Sequence, residues 1–344
     1  MRDIRSLSKI ELLEACEQLG EKKFRAQQLW EWLWQKSAHS FDEMTNLSKE
    51  FRQKLQTTFS FNTLTIAKSQ KSSDGTLKYA LKLNDGFLVE GVLIPTSDRV
   101  TACISSQVGC SLSCTFCATG FMKRERNLRA DEIYDQVALL RKEAEKEYDI
   151  KLTNIVLMGM GEPLLNYANV LAGIEKITSP EGLGMSPQRI TLSTAGIAKM
   201  IMKLGDDQVR FNLALSLHAA NNEKRSTIMP INDSNSLEDL IEAINYFHEK
   251  TGTRITLEYC VINDINDDPM EAEELIAFAR QIKCKVNLIE YNPIDFAEFQ
   301  SSSTEKIQRF ADYLERHNII VNIRRSRGKD IDAACGQLAN KLNE

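Results

Sequence analysis

Short apolar segments alternate with amphipathic helical stretches along the chain after Val100. The apolar segments are residues 100–106, 154–160, 189–195, 211–219, 254–262 and 285–293, and stretches such as ADEIYDQVALLRKEAEKE and LEDLIEAINYFHEKTG lie between them. Continuous apolar strands separated by helices indicate a parallel α/β sheet. The six repeats predict an open, partial barrel rather than a closed eightfold one, with site residues at the carboxyl ends of the strands.

Two segments of different character precede these repeats. Residues 8–57 have helical periodicity, and their stretch KKFRAQQLWEWLWQK mixes tryptophans with basic residues. This stretch is either an amphipathic helix with a solvated charged face or a docking surface for RNA phosphates. Residues 63–95 alternate with period two around Asp-Gly turns, which predicts a three-stranded meander. We therefore divide the chain into a helical domain (1–58), a meander (59–98), a core (99–325) and a tail (326–344).

Composition limits the classes of protein that the chain can belong to. A length of 344 residues exceeds one typical core and predicts a principal domain with smaller attachments. The sequence contains no apolar run of membrane-spanning length and no signal peptide, so we expect a soluble, cytoplasmic protein with no membrane partner. Its eight cysteines are then expected to stay reduced for metal binding or catalysis. The net charge of -5 predicts no general attraction to nucleic acid, so any RNA contact depends on local basic patches.

Three cysteines fall within one short loop of the core. Cys110, Cys114 and Cys117 have Cys-x₃-Cys-x₂-Cys spacing. A structural zinc ion or a complete iron–sulfur cluster normally has four protein ligands, so three leave one position open. The histidines that could supply a fourth ligand are distant in sequence: His39, His218, His248 and His317. The spacing favours a [4Fe–4S] cluster with one open iron over a zinc knuckle or a chance group of buried cysteines.

Polar residues recur where the predicted strands end. GMGEP, with Gly161 and Glu162, follows the second strand, and its carboxylate could hold an ammonium group. Ser193 ends the third strand, Ser216 and His218 end the fourth, and Asn292 ends the sixth. Each of these residues alone is as consistent with a turn or a cap as with a ligand contact. Their recurrence at one edge of a sheet indicates a binding site.

The cysteine triplet followed by GEP resembles the radical S-adenosylmethionine (SAM) superfamily, in which the amino and carboxylate groups of SAM bind the open iron. From WEWLWQK through CISSQVGC, GMGEPLLN, STAGI, SLHA and YNP to DIDAACGQLA, the chain resembles the radical SAM RNA adenine methyltransferases of the RlmN type. The similarity covers nearly the whole chain. It implies a partial (β/α)6 barrel with a small N-terminal helical domain and a β-meander linker.

The resemblance assigns roles residue by residue. It implies that Cys110, Cys114 and Cys117 bind one [4Fe–4S] cluster and that SAM contacts Gly161, Glu162, Ser193, Ser216, Leu217, His218 and Asn292. Cys335 would carry a methyl group, Cys103 would be a second catalytic cysteine, and Glu90 would accept a proton. On sequence grounds alone, Cys335 could equally be a buried cysteine and Glu90 a residue on the solvated face of its strand.

The implied reaction methylates carbon 2 of adenosine, which is electron-poor and therefore unsuited to direct displacement on SAM. One SAM would methylate Cys335, and a second would yield a 5′-deoxyadenosyl radical that removes hydrogen from this S-methyl group. The methylene radical would join carbon 2, a base would take the carbon 2 proton, and Cys103 would release the product with a transient disulfide. Between Cys103 and Glu90 as the base, the sequence does not decide.

The resemblance also implies partners and leaves alternatives open. The substrates would be adenosines in 23S rRNA, at the peptidyl transferase centre, and in tRNA, 3′ to the anticodon. A monomer with an electron donor such as flavodoxin or ferredoxin is expected. Two basic runs, one near the cluster loop and one near Cys335, are either solvated faces or RNA contacts. The first run is Lys123, Arg124, Arg126 and Arg129, and the second is Arg324, Arg325, Arg327 and Lys329. The alternatives are a carbon 8-methylating relative, a radical SAM activase, and a zinc RNA-binding module. Pro163 of GMGEPLLN and its flanking residues look more like the carbon 2 branch than the carbon 8 branch.

Overall fold

The computed structural model describes residues 1–340, so the end of the predicted tail, 341–344, lies outside the described residues. The α-helices within this part of the chain are α1 (Lys9–Gln18), α2 (Phe24–Trp30), α3 (Lys49–Thr58), α4 (Ala130–Tyr148), α5 (Tyr167–Thr178), α6 (Ala198–Asp206), α7 (Asn222–Ile228), α8 (Leu237–Thr251), α9 (Pro269–Ala279) and α10 (Thr304–Arg316). The strands are β1 (Arg2–Asp3), β2 (Phe59–Ser60), β3 (Thr65–Lys71), β4 (Leu77–Lys82), β5 (Leu88–Pro95), β6 (Val100–Cys103), β7 (Gln107–Val108), β8 (Arg126–Asn127), β9 (Asn154–Leu157), β10 (Ile190–Thr194), β11 (Asn212–Ser216), β12 (Ile255–Val261), β13 (Cys284–Glu290) and β14 (Val321–Arg324).

One large sheet organises the fold. Its strand order is β14-β13-β12-β11-β10-β9-β6-β5-β4-β3, and the strands from β14 to β6 are parallel. The predicted parallel α/β sheet is therefore confirmed. The structure adds a seventh parallel strand, β14, to the six that were predicted. This edge strand has four partly exposed residues and therefore lacks the continuous apolar run that marks a buried strand.

The predicted meander is present, and it extends the main sheet. Strands β3, β4 and β5 are antiparallel neighbours, and both connections contain the expected Asp-Gly pair. β5 also pairs antiparallel with β6, from Val92 opposite Cys103 to Pro95 opposite Val100. The segment predicted as a linker is thus hydrogen-bonded to the first strand of the core, while the predicted domain boundaries themselves stay a prediction.

The N-terminal helices pack against the core through the tryptophan-rich stretch. Trp34 is fully buried, and its ring meets Tyr134 of α4 edge to face at 5.1 Å. Arg5 forms a buried ion pair with Asp135, and Lys176 lies 3.9 Å from the centre of the Trp34 ring. Removing so large a buried side chain typically costs about 3–5 kcal/mol. This part of the stretch is therefore structural, and it continues α2 as a π-helical turn at Glu31–Gln35.

No helix within residues 1–340 is both long and apolar enough to cross a bilayer.

Candidate active site

The three clustered cysteines occupy the loop that follows β7. Backbone bonds hold this loop: Thr115 N donates to Ile228 O at 3.0 Å, and Gly120 N donates to Cys117 O at 2.8 Å. A Cβ atom at Gly120 would lie 2.6 Å from Cys114 O, so only glycine allows this close turn. Cys110, Cys114 and Cys117 all line one cavity at the carboxyl edge of the sheet.

A buried positive charge lies beside the three cysteines, which would bind a cluster as thiolates. Burial raises the pKa of Cys110 to about 11 and also raises the pKa of Cys114 and Cys117. These thiols are therefore protonated at neutral pH in the absence of a positive partner. Arg225 is fully buried beside the loop and keeps its charge at neutral pH, although burial lowers its pKa to about 10.

Arg225 also orders the neighbouring strand ends. Its guanidinium donates to Ala195 O at 2.6 Å, to Leu217 O at 3.1 Å and to Asn232 Oδ1 at 2.9 Å. These acceptors are neutral, so the Arg225 charge remains available to offset negative charge at the cysteines. Within residues 1–340 no three His, Cys, Asp or Glu side chains are arranged around a single metal ion. A cluster does not require that arrangement, since its cysteines bind different irons.

The cavity beyond the cysteines has a volume of about 160 Å³. Its wall is built from the ends of successive strands, as the sequence predicted. It contains the predicted residues Gly161, Glu162, Ser193, Ser216 and His218, and also Phe116, Met158, Thr194, Glu258, Cys260 and Tyr291. Three cysteines at one end and polar groups along the wall fit a cluster with SAM bound to its open iron.

Glu162 presents a fixed carboxylate to this cavity. Its Oε1 accepts from Leu164 N at 3.0 Å and its Oε2 from Ala195 N at 2.7 Å. Burial raises the pKa of Glu162 despite these bonds, which suits a group that awaits a cationic partner. The preceding Gly161 has φ of 93°, and a Cβ there would lie 2.4 Å from the side chain of Gln107. The GMGEP motif therefore needs glycine at this position.

The SLHA motif places two polar groups on the wall. Ser216 Oγ lies 3.3 Å from Ser193 Oγ. His218 has a left-handed backbone with φ of 57°, and its Nδ1 accepts from Cys260 N at 2.9 Å. Burial lowers the pKa of His218 to about 3, so the ring is neutral at physiological pH, with its proton on Nε2. His218 can thus donate one hydrogen bond to a ligand.

Leu217 and Asn292 do not line the cavity. The Leu217 side chain is fully buried, and its backbone N–H donates to Glu258 O at 3.0 Å. Asn292 Nδ2 donates to Cys335 O at 3.3 Å, while Asn292 Oδ1 is buried without a hydrogen-bond partner. A buried orphan acceptor of this kind suits a donor such as an adenine amino group. The predicted SAM contacts of Leu217 and Asn292 therefore stay predictions.

Cys335 lies where this cavity meets a second one. The second cavity, of about 120 Å³, is lined by residues that include Cys103, Met158, Arg324, Arg325, Arg327 and Cys335. Cys335 is exposed and contributes to both walls, whereas Cys103 is buried and contributes only to the second. Both thiols are free, and burial raises the pKa of Cys103 to about 12. The structure thus brings the two predicted catalytic cysteines to one cavity.

Glu258 was not predicted from the sequence as a site residue, and Arg324 was predicted only as a member of a basic run. Glu258, on β12, is buried and faces the first cavity, and its Oε2 accepts from Arg324 Nη1 at 2.9 Å. Its Oε1 accepts from Asn287 Nδ2 at 2.8 Å. A carboxylate in the middle of an otherwise apolar strand was the available signal. For Arg324 the signal was weaker, since the residue lies in a basic run.

Glu90 is not brought to either cavity. It is fully buried on β5, so the interpretation that it lies on the solvated face of the strand is wrong. Its Oε1 lies 3.4 Å from Lys78 Nζ, and its Oε2 accepts from Ala339 N at 2.8 Å. The meander is antiparallel and packs one face against the C-terminal segment, which sequence periodicity could not indicate.

The two basic runs have different environments. In the first run, Arg126 forms ion pairs with Asp85 and Glu132, and Arg129 forms one with Asp131. The charges of these two arginines are therefore largely compensated within the protein. In the second run, Arg324 pairs with Glu258 and Arg325 with Glu290, but both arginines and Arg327 also line the second cavity. Positive charge therefore reaches the cavity that contains Cys103.

Comparison with known proteins identifies the family. Residues 2–60 match the ribosomal RNA large subunit methyltransferase N-terminal domain, and residues 104–276 match the radical SAM superfamily. The chain is 62% identical over 338 residues to a probable dual-specificity RNA methyltransferase RlmN of Cytophaga hutchinsonii, covering 98% of this chain and 93% of that protein. The chain belongs to the RlmN family of radical SAM methyltransferases.

Further relatives also match this RlmN-family chain over nearly its whole length. The probable RlmN of Salinibacter ruber is 43% identical, covering 98% of this chain and 94% of that protein. The crystal structure of a radical SAM methyltransferase from Sphaerobacter thermophilus has a TM-score of 0.93 and 39% identity, covering 98% of this chain and 99% of that one. The maturase HydG, at 12% identity and a TM-score of 0.51 over 69% of this chain, shares the fold. The predicted radical SAM fold and family are confirmed.

Proposed function

We propose that this RlmN-family protein methylates carbon 2 of adenosine in 23S rRNA and in tRNA, with Cys335 as the carrier of the methyl carbon. The position of Cys335 on the walls of both cavities is the observation that supports this proposal most directly. A thiol at this junction can receive a methyl group from one cavity and present it in the other. The names of the relatives support RNA as the substrate.

The first cavity would hold the cofactors. Its three cysteines would bind the cluster, Glu162 would accept a hydrogen bond from the amino group of SAM, and Ser193, Ser216 and His218 would contact the rest of the molecule. When bound, cluster and SAM supply the methyl group and the one-electron chemistry that an electron-poor carbon requires. The Cys335 thiolate, a soft nucleophile, would accept the methyl group.

The second cavity would receive the target adenine. A base must leave its stack to reach a thiol on a cavity wall, so single-stranded loops are the fitting substrates. Arg325 and Arg327 on the cavity wall would contact RNA phosphates. Cys103 would remove the carbon 2 proton from the adduct between Cys335 and the base, because Cys103 lines this cavity and Glu90 does not.

Cys103 would also complete turnover. After the adduct radical has returned one electron to the cluster and Cys103 has lost its proton to solvent, the Cys103 thiolate would attack the Cys335 sulfur. A transient disulfide would form, the bond between this sulfur and the methylene carbon would break, and that carbon would take a proton from solvent as the methylated base is released. The disulfide leaves the protein oxidised by two electrons, so a reductant must restore both thiols. A flavodoxin or ferredoxin would fill the role of electron donor, and the protein would work as a cytoplasmic monomer.

Mass spectrometry of 23S rRNA and tRNA from a strain that lacks the gene tests this proposal. We expect one methyladenosine to disappear from each RNA and to return with the wild-type gene, but not with Cys335→Ala. Cys284→Ala is a matched control, because Cys284 lies outside both cavities. Unchanged methylation of both RNAs in the deletion strain would refute the proposal, and loss of a carbon 8 methyl group would assign the protein to the other branch.

A further inference from the structure

The segment that contains the candidate methyl-carrying cysteine is held at both ends by one ion pair. Lys78 Nζ donates to Asp332 O at 3.2 Å, at the start of the segment. Glu90 Oε2 accepts from Ala339 N at 2.8 Å, at its end. Lys78 Nζ and Glu90 Oε1 are themselves 3.4 Å apart. Residues 333–338 therefore form an arch between two contacts that depend on the same pair.

Both members of this pair are buried. The side chains of Lys78 and Glu90 are 2% and 0% exposed. Glu90 Oε2 accepts a second backbone N–H, from Asn340 at 3.1 Å, whereas Glu90 Oε1 has no hydrogen-bond partner. A buried charge that loses its partner is strongly destabilised, so each member needs the other. To act as a base, Glu90 would have to leave these contacts and enter a cavity that it does not line.

The opposite side of the arch rests on the cofactor site. Gly336 O accepts from Ala118 N at 2.7 Å, immediately after the last cluster cysteine. Leu338 O accepts from Thr119 Oγ1 at 2.6 Å, and Cys335 O accepts from Asn292 Nδ2. The arch is thus clamped between the meander and the cluster loop. The place of the Cys335 thiol between the two cavities depends on both sides of this clamp.

We propose that the Lys78–Glu90 pair positions Cys335, and that Glu90 is a positioning residue rather than the acceptor of the RNA proton. The inference rests on the proposed function, because it concerns the thiol that carries the methyl group. It gives the meander a role in catalysis, since the meander provides both members of the pair.

The two roles of Glu90 predict defects at different steps. A missing base would leave Cys335 methylation intact and would stop the reaction at a protein–RNA adduct that still retains the carbon 2 hydrogen. A missing positioning contact would already impair the methylation of Cys335, before RNA takes part. Glu90→Gln separates the two roles, because the amide oxygen can still accept backbone N–H bonds while the charge that pairs with Lys78 is lost.

The experiment follows Cys335 methylation in reconstituted holoenzyme with CD₃-labelled SAM and no RNA, by mass spectrometry of the Cys335 peptide. We expect Glu90→Gln and Lys78→Met each to slow methylation at least tenfold, with the iron content and the affinity for SAM unchanged. Glu147→Gln is the matched control, because it breaks an exposed ion pair with Lys71 on the same meander. Wild-type methylation in Glu90→Gln, with an adduct accumulating once RNA is added, would overturn the proposal.

A double variant tests the pair itself. Lys78→Met combined with Glu90→Gln leaves no buried charge unpaired, so we expect it to fold even where the single variants do not. Its methylation of Cys335 should stay slow, because the ion pair and the Lys78 bond to Asp332 O are still missing. A double variant that folds and methylates Cys335 at the wild-type rate would contradict the positioning role. Failure of wild-type protein to methylate Cys335 would instead refute the proposed function.

Discussion

Glu258 and Arg324 form an ion pair of 2.9 Å although the two side chains face different cavities. The pair connects β12, near the middle of the parallel strands, with the edge strand β14. It also places a guanidinium group on the wall that contains Cys103. Burial raises the pKa of Cys103 to about 12, and the Arg324 charge opposes this shift. The ion pair therefore has a structural and an electrostatic consequence.

The structural consequence can be measured as stability. Arg324→Met leaves the Glu258 carboxylate buried without a cation, and we expect the free energy of unfolding to fall by about 1–3 kcal/mol. This range is below that of a fully buried pair because the Arg324 side chain is 34% exposed. Urea denaturation would measure the change, and Lys329→Met, which removes an exposed partner of Glu290, would serve as the control. Equal stability of Arg324→Met and wild type would contradict the expectation.

The electrostatic consequence is a dependence of adduct release on pH. The attacking form of Cys103 is the thiolate, and below its pKa the thiolate fraction rises tenfold for each pH unit. Because burial places this pKa near 12, we expect release to accelerate throughout the range from about pH 7 to 9. Rapid-quench measurement of adduct decay in a single turnover would test this. Arg324→Met should slow release further at each pH, and a rate that falls with rising pH would exclude thiolate attack.

The cluster assignment predicts the iron content. Anaerobically reconstituted protein should be brown and contain about four irons per chain, and Cys110→Ala, Cys114→Ala and Cys117→Ala should each lose this iron. Cys16→Ala should retain it, because Cys16 is buried in α1, away from the loop. Iron and sulfide analysis with the visible spectrum provides the measurement. One zinc per chain in place of iron would contradict the assignment.

The two catalytic cysteines predict opposite phenotypes. Cys335→Ala removes the methyl carrier, so turnover should stop without any protein–RNA crosslink. Cys103→Ala leaves the carrier but removes the group that releases product, so protein joined covalently to RNA should accumulate. Denaturing gels with labelled RNA distinguish the two, with Cys260→Ala as a control for a cysteine that lines only the first cavity. Activity in both variants would exclude the assignment. A crosslink with Cys335→Ala would reverse it.

The sequence predicted the parallel sheet and the cavity because both depend on local patterns. Apolar strands, helices and polar strand ends recur in order, so Glu162, Ser193 and Ser216 fall on one edge. The contacts between the meander and the segment around Cys335 join residues more than 240 positions apart, such as Glu90 and Ala339. No periodicity within β5 reveals that one of its faces packs against the chain terminus. Long-range polar contacts of this kind need the fold itself.

The origin of the hydrogens in the product methyl group separates the proposed mechanism from direct displacement. Direct transfer would deliver all three hydrogens of the SAM methyl group together. In the proposed reaction, one hydrogen leaves while the carbon is attached to Cys335, and a hydrogen from another source replaces it later. With CD₃-labelled SAM and protein first cleared of unlabelled methyl, the product should retain two deuteriums, and the third should appear in 5′-deoxyadenosine.

Nuclease digestion and mass spectrometry of the RNA would measure the label, and the same digest would identify the modified carbon. Protein with Cys335→Ala is the control, since it should give neither labelled RNA nor deuterated 5′-deoxyadenosine. An intact CD₃ group on the adenine would mean that the methyl group had been transferred in one piece. In that case Cys335, whatever its position between the cavities, could not have served as the site of hydrogen removal.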